Sequence, residues 1–391
     1  MRILVATHNY PRFADDPAGA FVRRLAEATV AAGHEVQVVA PHAPGLPRRV
    51  RENGVDVARF RYAPDALERV AYRGDLHRAM PLSGLGLLGI PAFLAANSMA
   101  LRRERDRFHP DVVHAHWWLP SGWHASRLGV PYVVTLHGSD ARLLDRGFFF
   151  RRLARSVFER AKSVTTVSEF LAADVRAALP NLRTPVLTAR MPLDIEHFAR
   201  GRMVARVAPP RILYAGNLLA SKGIDVLLDA HARLLARGVA CEVKILGEGP
   251  HEVRLKQEAS RLGLRDSVIW SHFVGQAAMP NEYGQSTIVV LPTRGREEGL
   301  GLVLGEALLA GCAVVGTPAG GIPEVVRDGV TGLIARDGDA EDLADRLQQL
   351  IQDSALRERL IRAGDEYVRA TFSPRPAVER FLSLYDAAIR N

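Results

Sequence analysis

Short apolar runs alternate with longer amphipathic segments along the whole chain. Residues 2–7 form an apolar run, the apolar positions of 21–32 repeat with helical spacing up to Gly33, and a second apolar run follows at 34–40. A strand, a helix and a strand in this order predict a β-α-β unit. Its two strands are parallel, and a parallel sheet needs helices on both faces.

The alternation continues to the C-terminus in two series. The predicted strands of the first series lie at 111–114, from 131 to a turn at His137, and at 163–168, with a helix at 169–178. In the second series, strands are predicted at 211–215, 242–246, 286–292 and 313–315, and helices at 223–237, 340–352, 355–370 and 373–389. The polar, proline-containing segment 202–210 is the predicted linker. A chain of 391 residues fits two such domains.

The net positive charge of the chain raises the question of a nucleic-acid partner. The formal net charge is +8, and nearly all of the positive charge is arginine. No zinc finger, helix-turn-helix or RNP-like aromatic motif accompanies it, so we predict no nucleic-acid partner. The four lysines are Lys162, Lys222, Lys244 and Lys256.

The lengths of the apolar runs and the spacing of the cysteines bear on the cellular compartment of the protein. No uninterrupted apolar span of 18 residues occurs, and the first apolar run is too short for a signal peptide. Cys241 and Cys312 show neither metal-ligand spacing nor a disulfide framework. We therefore expect a cytoplasmic protein.

The segment 81–101 leaves two interpretations open. It is rich in leucine, glycine and alanine, and a charged stretch follows at 102–107. One interpretation is core helices with a solvated charged end. The other is a basic amphipathic element that rests on the inner face of a membrane, although its glycines and prolines interrupt a long amphipathic helix.

The stretch 296–317 carries the clearest chemistry. A strand leads into a charged loop, a glycine-rich turn, an apolar helix and another strand, so the loop lies at the carboxyl end of its strand, where open α/β sheets bind ligands. Gly299 and Gly301 would let backbone N–H groups approach an anion at the helix N-terminus. Glu306 falls within the apolar helix, where an unpaired carboxylate is costly.

These residues also carry a family resemblance. Glu298-Gly-Leu-Gly-Leu-Val-Leu-Gly-Glu306-Ala, Gly311-Cys-Ala-Val-Val and Gly320-Gly-Ile-Pro-Glu324-Val-Val resemble the signature of retaining nucleotide-sugar glycosyltransferases, glycosyltransferase family 4. The resemblance implies the α/β GT-B fold: two Rossmann-like, doubly wound parallel-sheet domains that face each other across a cleft. It places the acceptor-side domain at 1–203, joined by the terminal helix 373–391, and the nucleotide-sugar domain at 204–372.

The resemblance also implies roles for individual residues. Glu298 would sit beside the donor sugar, and His137 of the turn His137-Gly-Ser-Asp140 would contact that sugar, so these two are the candidate catalytic residues. Glu306 would bond the ribose hydroxyls. The other predicted donor-binding residues are Gly19, Asp140, Asn217, Lys222, Gly299, Leu300, Gly301 and Leu302.

Two loops depart from the family pattern. Ala18-Gly19 replaces a pair of glycines, and Asn217 replaces the arginine that, together with Lys222, would neutralise the donor diphosphate. An amide donates a hydrogen bond but no charge, so other groups must supply it. Arg294 and Arg296 are candidates by position.

The first strand is not followed by G-x-G-x-x-G, which argues against a nicotinamide dehydrogenase.

Three histidines, at His114, His116 and His124, invite a metal-site hypothesis. A strand would put His114 and His116 on one face with no cysteine or carboxylate nearby, so we favour packing and acceptor-cleft roles. The resemblance implies a metal-independent reaction without a cofactor.

The predicted function is transfer of a sugar, with retention, from a nucleoside diphosphate to an acceptor hydroxyl. The acceptor would be a saccharide, a lipid-linked molecule or a small molecule. Two alternatives stay open: a phosphorylase or synthase of the same fold, and a nucleotide-sugar-binding protein without turnover, for which Asn217 is the hint.

Overall fold

The chain folds into two compact units in a computed structural model that describes residues 1–68, 70–72 and 85–390, without the side chains of 85–88. The first unit comprises Met1–Pro192 and Pro374–Asn391, and the second comprises Leu193–Ser373. The sequence prediction assigns 193–203 to the first domain and a linker to 202–210. In the structure a short helix at 195–199 packs on helices of the second unit, so the chain passes between the units before that helix.

The first unit is built on a sheet in the order β3-β4-β2-β1-β5-β6-β7-β8 within the described residues. All neighbouring strands are parallel except β3 and β4. The strands are β1 (Arg2–Ala6), β2 (Glu35–Pro41), β3 (Arg49–Glu52), β4 (Val55–Phe60), β5 (Val112–His116), β6 (Tyr132–Leu136), β7 (Ser163–Thr166) and β8 (Val186–Thr188).

Helices cover this sheet. They are α1 (Ala20–Ala31), α2 (Leu85–Phe108), α3 (Trp123–Ala125), α4 (Phe148–Phe158) and α5 (Glu169–Ala178). In α2, Phe93, Leu101 and Glu104 are buried while Arg102 and Arg103 are exposed, so this part is a core helix with a solvated charged end. Positions 81–84 of the segment with two interpretations lie outside the described residues.

The second unit has a parallel sheet in the order β11-β10-β9-β12-β13-β14, in which Ile288 of β12 lies opposite Ile212 of β9. Its strands are β9 (Arg211–Ala215), β10 (Glu242–Leu246), β11 (Val268–Ser271), β12 (Ile288–Leu291), β13 (Ala313–Gly316) and β14 (Leu333–Ile334). Its helices are α6 (Ile195–Ala199), α7 (Ile224–Ala236), α8 (Glu252–Arg261), α9 (Met279–Gln285), α10 (Leu302–Leu309), α11 (Ala340–Gln352) and α12 (Ser354–Phe372).

The terminal helix α13 (Pro374–Arg390) returns to the first unit, as predicted. It packs against α1, β5 and β6. Phe381 and Tyr385 are buried there, and the Tyr385 hydroxyl lies 2.6 Å from Nδ1 of His114.

Each sheet reverses its strand order at one place, and that place positions the candidate site. In the first unit the reversal falls between β1 and β5, and in the second between β9 and β12. Open α/β sheets bind ligands beyond the carboxyl ends of the strands at such a point. The loops after these four strands are therefore where bound substrate is expected.

None of the described helices is both long and apolar enough to cross a bilayer. The expected cytoplasmic location stays a prediction.

Candidate functional site

In the second unit, the loops after β9 and β12 lie against each other. The N–H of Arg294 donates a 2.8 Å hydrogen bond to the carbonyl oxygen of Ser221. This contact places the neighbouring residue Lys222 beside the loop that contains Glu298. Two residues that are 76 positions apart in the sequence are thereby brought to one site.

Lys222 and Glu298 form an ion pair there. Nζ of Lys222 donates to Oε2 of Glu298 at 2.6 Å, and the two side chains are 16% and 17% exposed. The Thr293 hydroxyl lies 3.5 Å from the same carboxylate oxygen. A pair this far removed from water holds both side chains in place, and loss of one partner would leave the other charge poorly compensated.

The N-terminus of α10 offers open backbone donors next to this pair. Within the described ranges, the N–H groups of Gly299, Leu300, Gly301 and Leu302 have no hydrogen-bond partner. The first N–H groups of a helix point out of its end and carry part of the helix dipole, so they favour an anion. These four residues are among those that the sequence analysis predicts to bind the donor, and that role stays a prediction.

The glycine pair 320–321 explains how this loop keeps its shape. A Cβ atom on Gly320 would collide with the carbonyl oxygen of Glu298, and one on Gly321 would collide with that of Gly299. The N–H of Gly321 also donates to the Glu298 carbonyl at 3.1 Å. Only glycines allow the two segments to approach so closely.

Glu306, in the apolar helix α10, finds the partner that its burial requires. The hydroxyl of Tyr283, a fully buried residue, donates to Oε2 of Glu306 at 2.8 Å. This bond orients the Glu306 carboxylate. Tyr283 therefore holds the residue that the sequence analysis predicts to bond the ribose hydroxyls.

Asn217 and Arg294 differ in how they are held. Asn217 is exposed, and its side-chain amide has no hydrogen-bond partner in the part of the chain that the structure describes. Arg294, a candidate to replace the missing arginine, instead donates to Asp225 in the first turn of α7 at 3.0 Å. Lys222 is thus the cation in direct contact with Glu298.

In the first unit, the loop 7–19 after β1 leads to the N-terminus of α1. Gly19 begins this helix with a φ of 72°, and a Cβ atom there would collide with the carbonyl oxygen of Asn9. The buried carboxylate of Asp16 fastens the loop, because it accepts hydrogen bonds from Nε of Arg12 at 2.6 Å and from the N–H of Ala18 at 3.2 Å. The close approach of residue 19 to the Asn9 carbonyl requires glycine. Position 18 accepts the alanine that stands where the family pattern has its other glycine.

His137 lies at the carboxyl end of β6 within an aromatic cluster. Its ring centroid is 4.4 Å from Trp117 and 4.8 Å from Phe21. Nε2 of His137 lies 3.0 Å from Nδ1 of His116, and Nδ1 of His137 has no hydrogen-bond partner among the residues that the structure describes. Burial, with the nearby imidazoles of His114 and His8, lowers the pKa of His137 well below its ordinary value, so the ring is neutral near pH 7.

The three histidines of the metal-site hypothesis have other contacts. His114 bonds the Thr135 hydroxyl at 2.7 Å as well as Tyr385, and its ring lies 4.0 Å from that of His116. His124 lies in α3 with its ring against Trp123. His116 thus supports His137, a role that sequence reasoning missed. The sequence held one sign of this role: the pattern His114-Ala-His116 lies on β5, which pairs with β6, the strand that precedes His137.

Asp140 organises the turn that carries His137. One carboxylate oxygen accepts from the N–H groups of His137 and Gly138, at 2.9 and 3.3 Å, and the other accepts from the N–H of Trp118 at 3.1 Å. The side chain is buried, and burial raises its pKa to about 6 despite these hydrogen bonds. The sequence prediction placed Asp140 on the donor, whereas its described contacts are all with the backbone of its own unit.

We expect Asp140→Asn to lower the melting temperature and turnover together. The amide NH2 would replace one accepting oxygen, so a buried N–H of the turn or of Trp118 would lose its partner. An unsatisfied buried donor costs about 1–3 kcal/mol in the free energy of unfolding. Thermal melting and steady-state kinetics check this result, with Asp145→Asn on the exposed surface as control. A weaker donor affinity at an unchanged melting temperature would instead put the carboxylate on the donor.

Comparison with known proteins identifies the family. The model of the family described as glycosyl transferases group 1 matches residues 199–367, and that of the glycosyl transferase 4-like domain matches 18–189. A D-inositol 3-phosphate glycosyltransferase of Nocardioides sp. is 31% identical over 390 residues, which covers 88% of this chain and 83% of that protein. The chain belongs to the group 1 glycosyl transferases. It is therefore an enzyme of the hexosyltransferase type.

Solved structures agree on the fold of this group 1 glycosyl transferase. Sucrose-phosphate synthase from Thermosynechococcus elongatus is similar with a TM-score of 0.81 at 21% identity, over 98% of both chains. The Anabaena protein HepE in complex with UDP-glucose is similar with a TM-score of 0.74 at 19% identity, over 99% of this chain and 100% of that one. The prediction of a GT-B protein with two Rossmann-like parallel-sheet domains is confirmed.

Proposed function

We propose that this protein transfers a sugar, with retention and without a metal ion, from a nucleoside diphosphate to an acceptor hydroxyl. The observation that carries this proposal is the Lys222–Glu298 pair beside the open N–H groups at the start of α10. It combines a fixed cation, a fixed carboxylate and an anion cradle at the strand-order reversal of the second sheet. Family membership and the UDP-glucose complex of the Anabaena neighbour support a nucleotide-sugar donor.

The departing diphosphate is the largest charge that the site must stabilise. The N–H groups of 299–302, the positive end of the α10 dipole and the Lys222 ammonium all offer positive potential at one place. Donors that are already oriented cost little reorganisation as the charge develops. These groups would do what a divalent cation does in other transferases, and the proposed reaction should therefore persist in a chelator.

Glu306 and Tyr283 would hold the nucleoside. The Tyr283 hydroxyl orients the Glu306 carboxylate, which would accept a hydrogen bond from a ribose hydroxyl of the donor. A charged hydrogen bond is stronger than a neutral one, which suits a residue that anchors the donor.

We expect Glu306→Ala to weaken UDP binding by about 1.5–3 kcal/mol, the value of a hydrogen bond to a charged group. Calorimetry with UDP measures this loss. The matched ligand is a UDP analogue whose ribose lacks both hydroxyls, for which parent and variant should bind alike. If the variant loses the same affinity for both ligands, Glu306 acts on the structure of the pocket rather than on the ribose.

The proposed transfer step keeps the anomeric configuration. The acceptor oxygen attacks the anomeric carbon on the face that the diphosphate leaves, while the bond from that carbon to the diphosphate oxygen breaks. The acceptor proton passes to a departing phosphate oxygen, so no protein base is required. Neutral His137 would orient and polarise the donor sugar through Nδ1, and Glu298 would stabilise the positive charge that develops on the sugar.

A panel of UDP-, GDP- and ADP-glucose tests this function. A ligand at a hundred times its dissociation constant adds ~2.7 kcal/mol of stability, which thermal shift detects readily. Donor hydrolysis or transfer in a screen of hydroxyl compounds separates an enzyme from a binding protein. A requirement for inorganic phosphate would indicate a phosphorylase, and stabilisation by none of the three donors would contradict the proposal.

A further inference from the structure

An apolar cavity lies in the first unit between α2, the turn after β5 and the segment after β6. Its volume is about 130 Å³, and its apolar walls include Ile90, Phe93, Leu94, Leu119, Leu143 and Phe150. For comparison, an apolar cavity of about 150 Å³ in another protein holds a benzene molecule. This cavity therefore has room for one six-membered ring or a short alkyl segment.

The polar side chains of the lining belong to His8, Ser139, Asp140 and Arg146. Nδ1 of His8 is buried and has no hydrogen-bond partner among the residues that the structure describes. Burial lowers the pKa of His8 to about 4, so the imidazole is neutral near pH 7 and can share one hydrogen bond with a hydroxyl. The carboxylate of Asp140, which also lines the cavity, is already used by backbone N–H groups.

Trp117 connects this cavity with His137. The Trp117 ring is 4.4 Å from the ring of His8 and 4.4 Å from that of His137. The unpaired nitrogen is thus one aromatic ring away from the residue that we place on the donor sugar. An acceptor hydroxyl must lie close to that sugar to react.

We propose that this cavity binds an apolar part of the acceptor and that His8 holds a hydroxyl group next to it. The site rests on the proposed transfer reaction, because only a transferase needs an acceptor. Most of the lining is apolar, so a polyhydroxylated molecule would leave several hydroxyl groups unpaired against these walls, which is costly. The acceptor class is therefore an alcohol attached to a ring or alkyl group, unlike the inositol phosphate in the name of the Nocardioides relative.

Benzyl alcohol and toluene are a matched pair of probes for this site, since they differ only in the hydroxyl group. Ligand-observed NMR should show that both bind the parent protein. Ile90→Trp, which fills the cavity, should remove the binding of both, while Met99→Trp on the exposed face of the same helix should not. Should Ile90→Trp fail to fold, Leu94→Trp provides the same test.

His8→Phe separates the hydroxyl contact from the cavity. It keeps a ring against Trp117 and removes the nitrogen, so we expect about fivefold weaker binding of benzyl alcohol and unchanged binding of toluene. Absence of benzyl alcohol binding to the parent, or equal binding to Ile90→Trp, would overturn the proposed site. UDP-glucose hydrolysis by the parent is measured separately. Its loss with intact probe binding would count against the transferase function, not against the cavity.

Discussion

Lys222→Ala is expected to weaken UDP-glucose binding at least about 100-fold and to abolish measurable transfer. The variant removes the cation that contacts Glu298 at 2.6 Å, next to the N–H groups that we place on the diphosphate. It loses a charged hydrogen bond of about 1.5–3 kcal/mol. It also leaves the Glu298 carboxylate to repel the incoming phosphates. Calorimetry with UDP-glucose and a transfer assay measure the two losses.

Lys244→Ala is the matched control, because Lys244 forms a similarly buried pair with Glu282 at 2.5 Å in the same unit. Both variants should lower the melting temperature, and the Lys222 variant alone should lose the donor. Equal donor binding by both variants would show that Lys222 is structural. Another cation, such as Arg294 or Arg296, would then balance the negative charge of the diphosphate.

His137→Ala is expected to lower kcat about 100-fold while the dissociation constant of UDP stays within about twofold. Removal of one preorganised donor from a transition state costs about that much, and a contact made mainly in the transition state lowers kcat and kcat/KM together. Because the pKa of His137 is depressed, the neutral ring persists above that lowered value. Turnover should therefore show no titration of this group near pH 6.5, and only a fall in pH through the lowered pKa would charge it.

His124→Ala controls for the loss of a buried imidazole of the first unit, since His124 lies in α3 against Trp123. Its turnover should stay near that of the parent. If His137→Ala turned over at the parent rate, the His116–His137 bond would be part of the packing. A comparable loss of UDP affinity would show that His137 acts before the transition state.

The sequence supports the prediction of most elements around the site because their patterns are local. The glycine-rich turn, the apolar helix that contains Glu306 and the parallel strands follow from periodicity and flanking glycines. This reasoning does not predict the hairpin of β3 and β4. Its first strand, Arg49–Glu52, is an exposed edge strand with three charged residues and so lacks apolar alternation. Helix α4 is not predicted either, and two apolar residues of its first turn, Phe148 and Phe149, are largely exposed.

Contacts between loops are harder to predict than the loops themselves. The Lys222–Glu298 pair depends on β9 and β12 being neighbours, which is a property of strand order rather than of either segment. The contacts of His8 and Trp117 depend on irregular backbone; Trp117 has a φ of 65°, which few non-glycine residues adopt. Asp140 shows the same limit: its motif was recognisable, but its hydrogen bonds to the turn were not.

The stereochemistry of the product tests the proposed reaction most directly. UDP-glucose, or whichever donor gives the largest thermal shift, is incubated with the enzyme in EDTA and the best acceptor from the hydroxyl screen, which includes benzyl alcohol. Proton NMR of the anomeric signal then reports the configuration of the new glycosidic bond. We expect an α-linked product from the α-linked donor, at a rate unchanged by EDTA. A β-linked product, or activity that EDTA removes and a divalent cation restores, would contradict a retaining, metal-independent transferase.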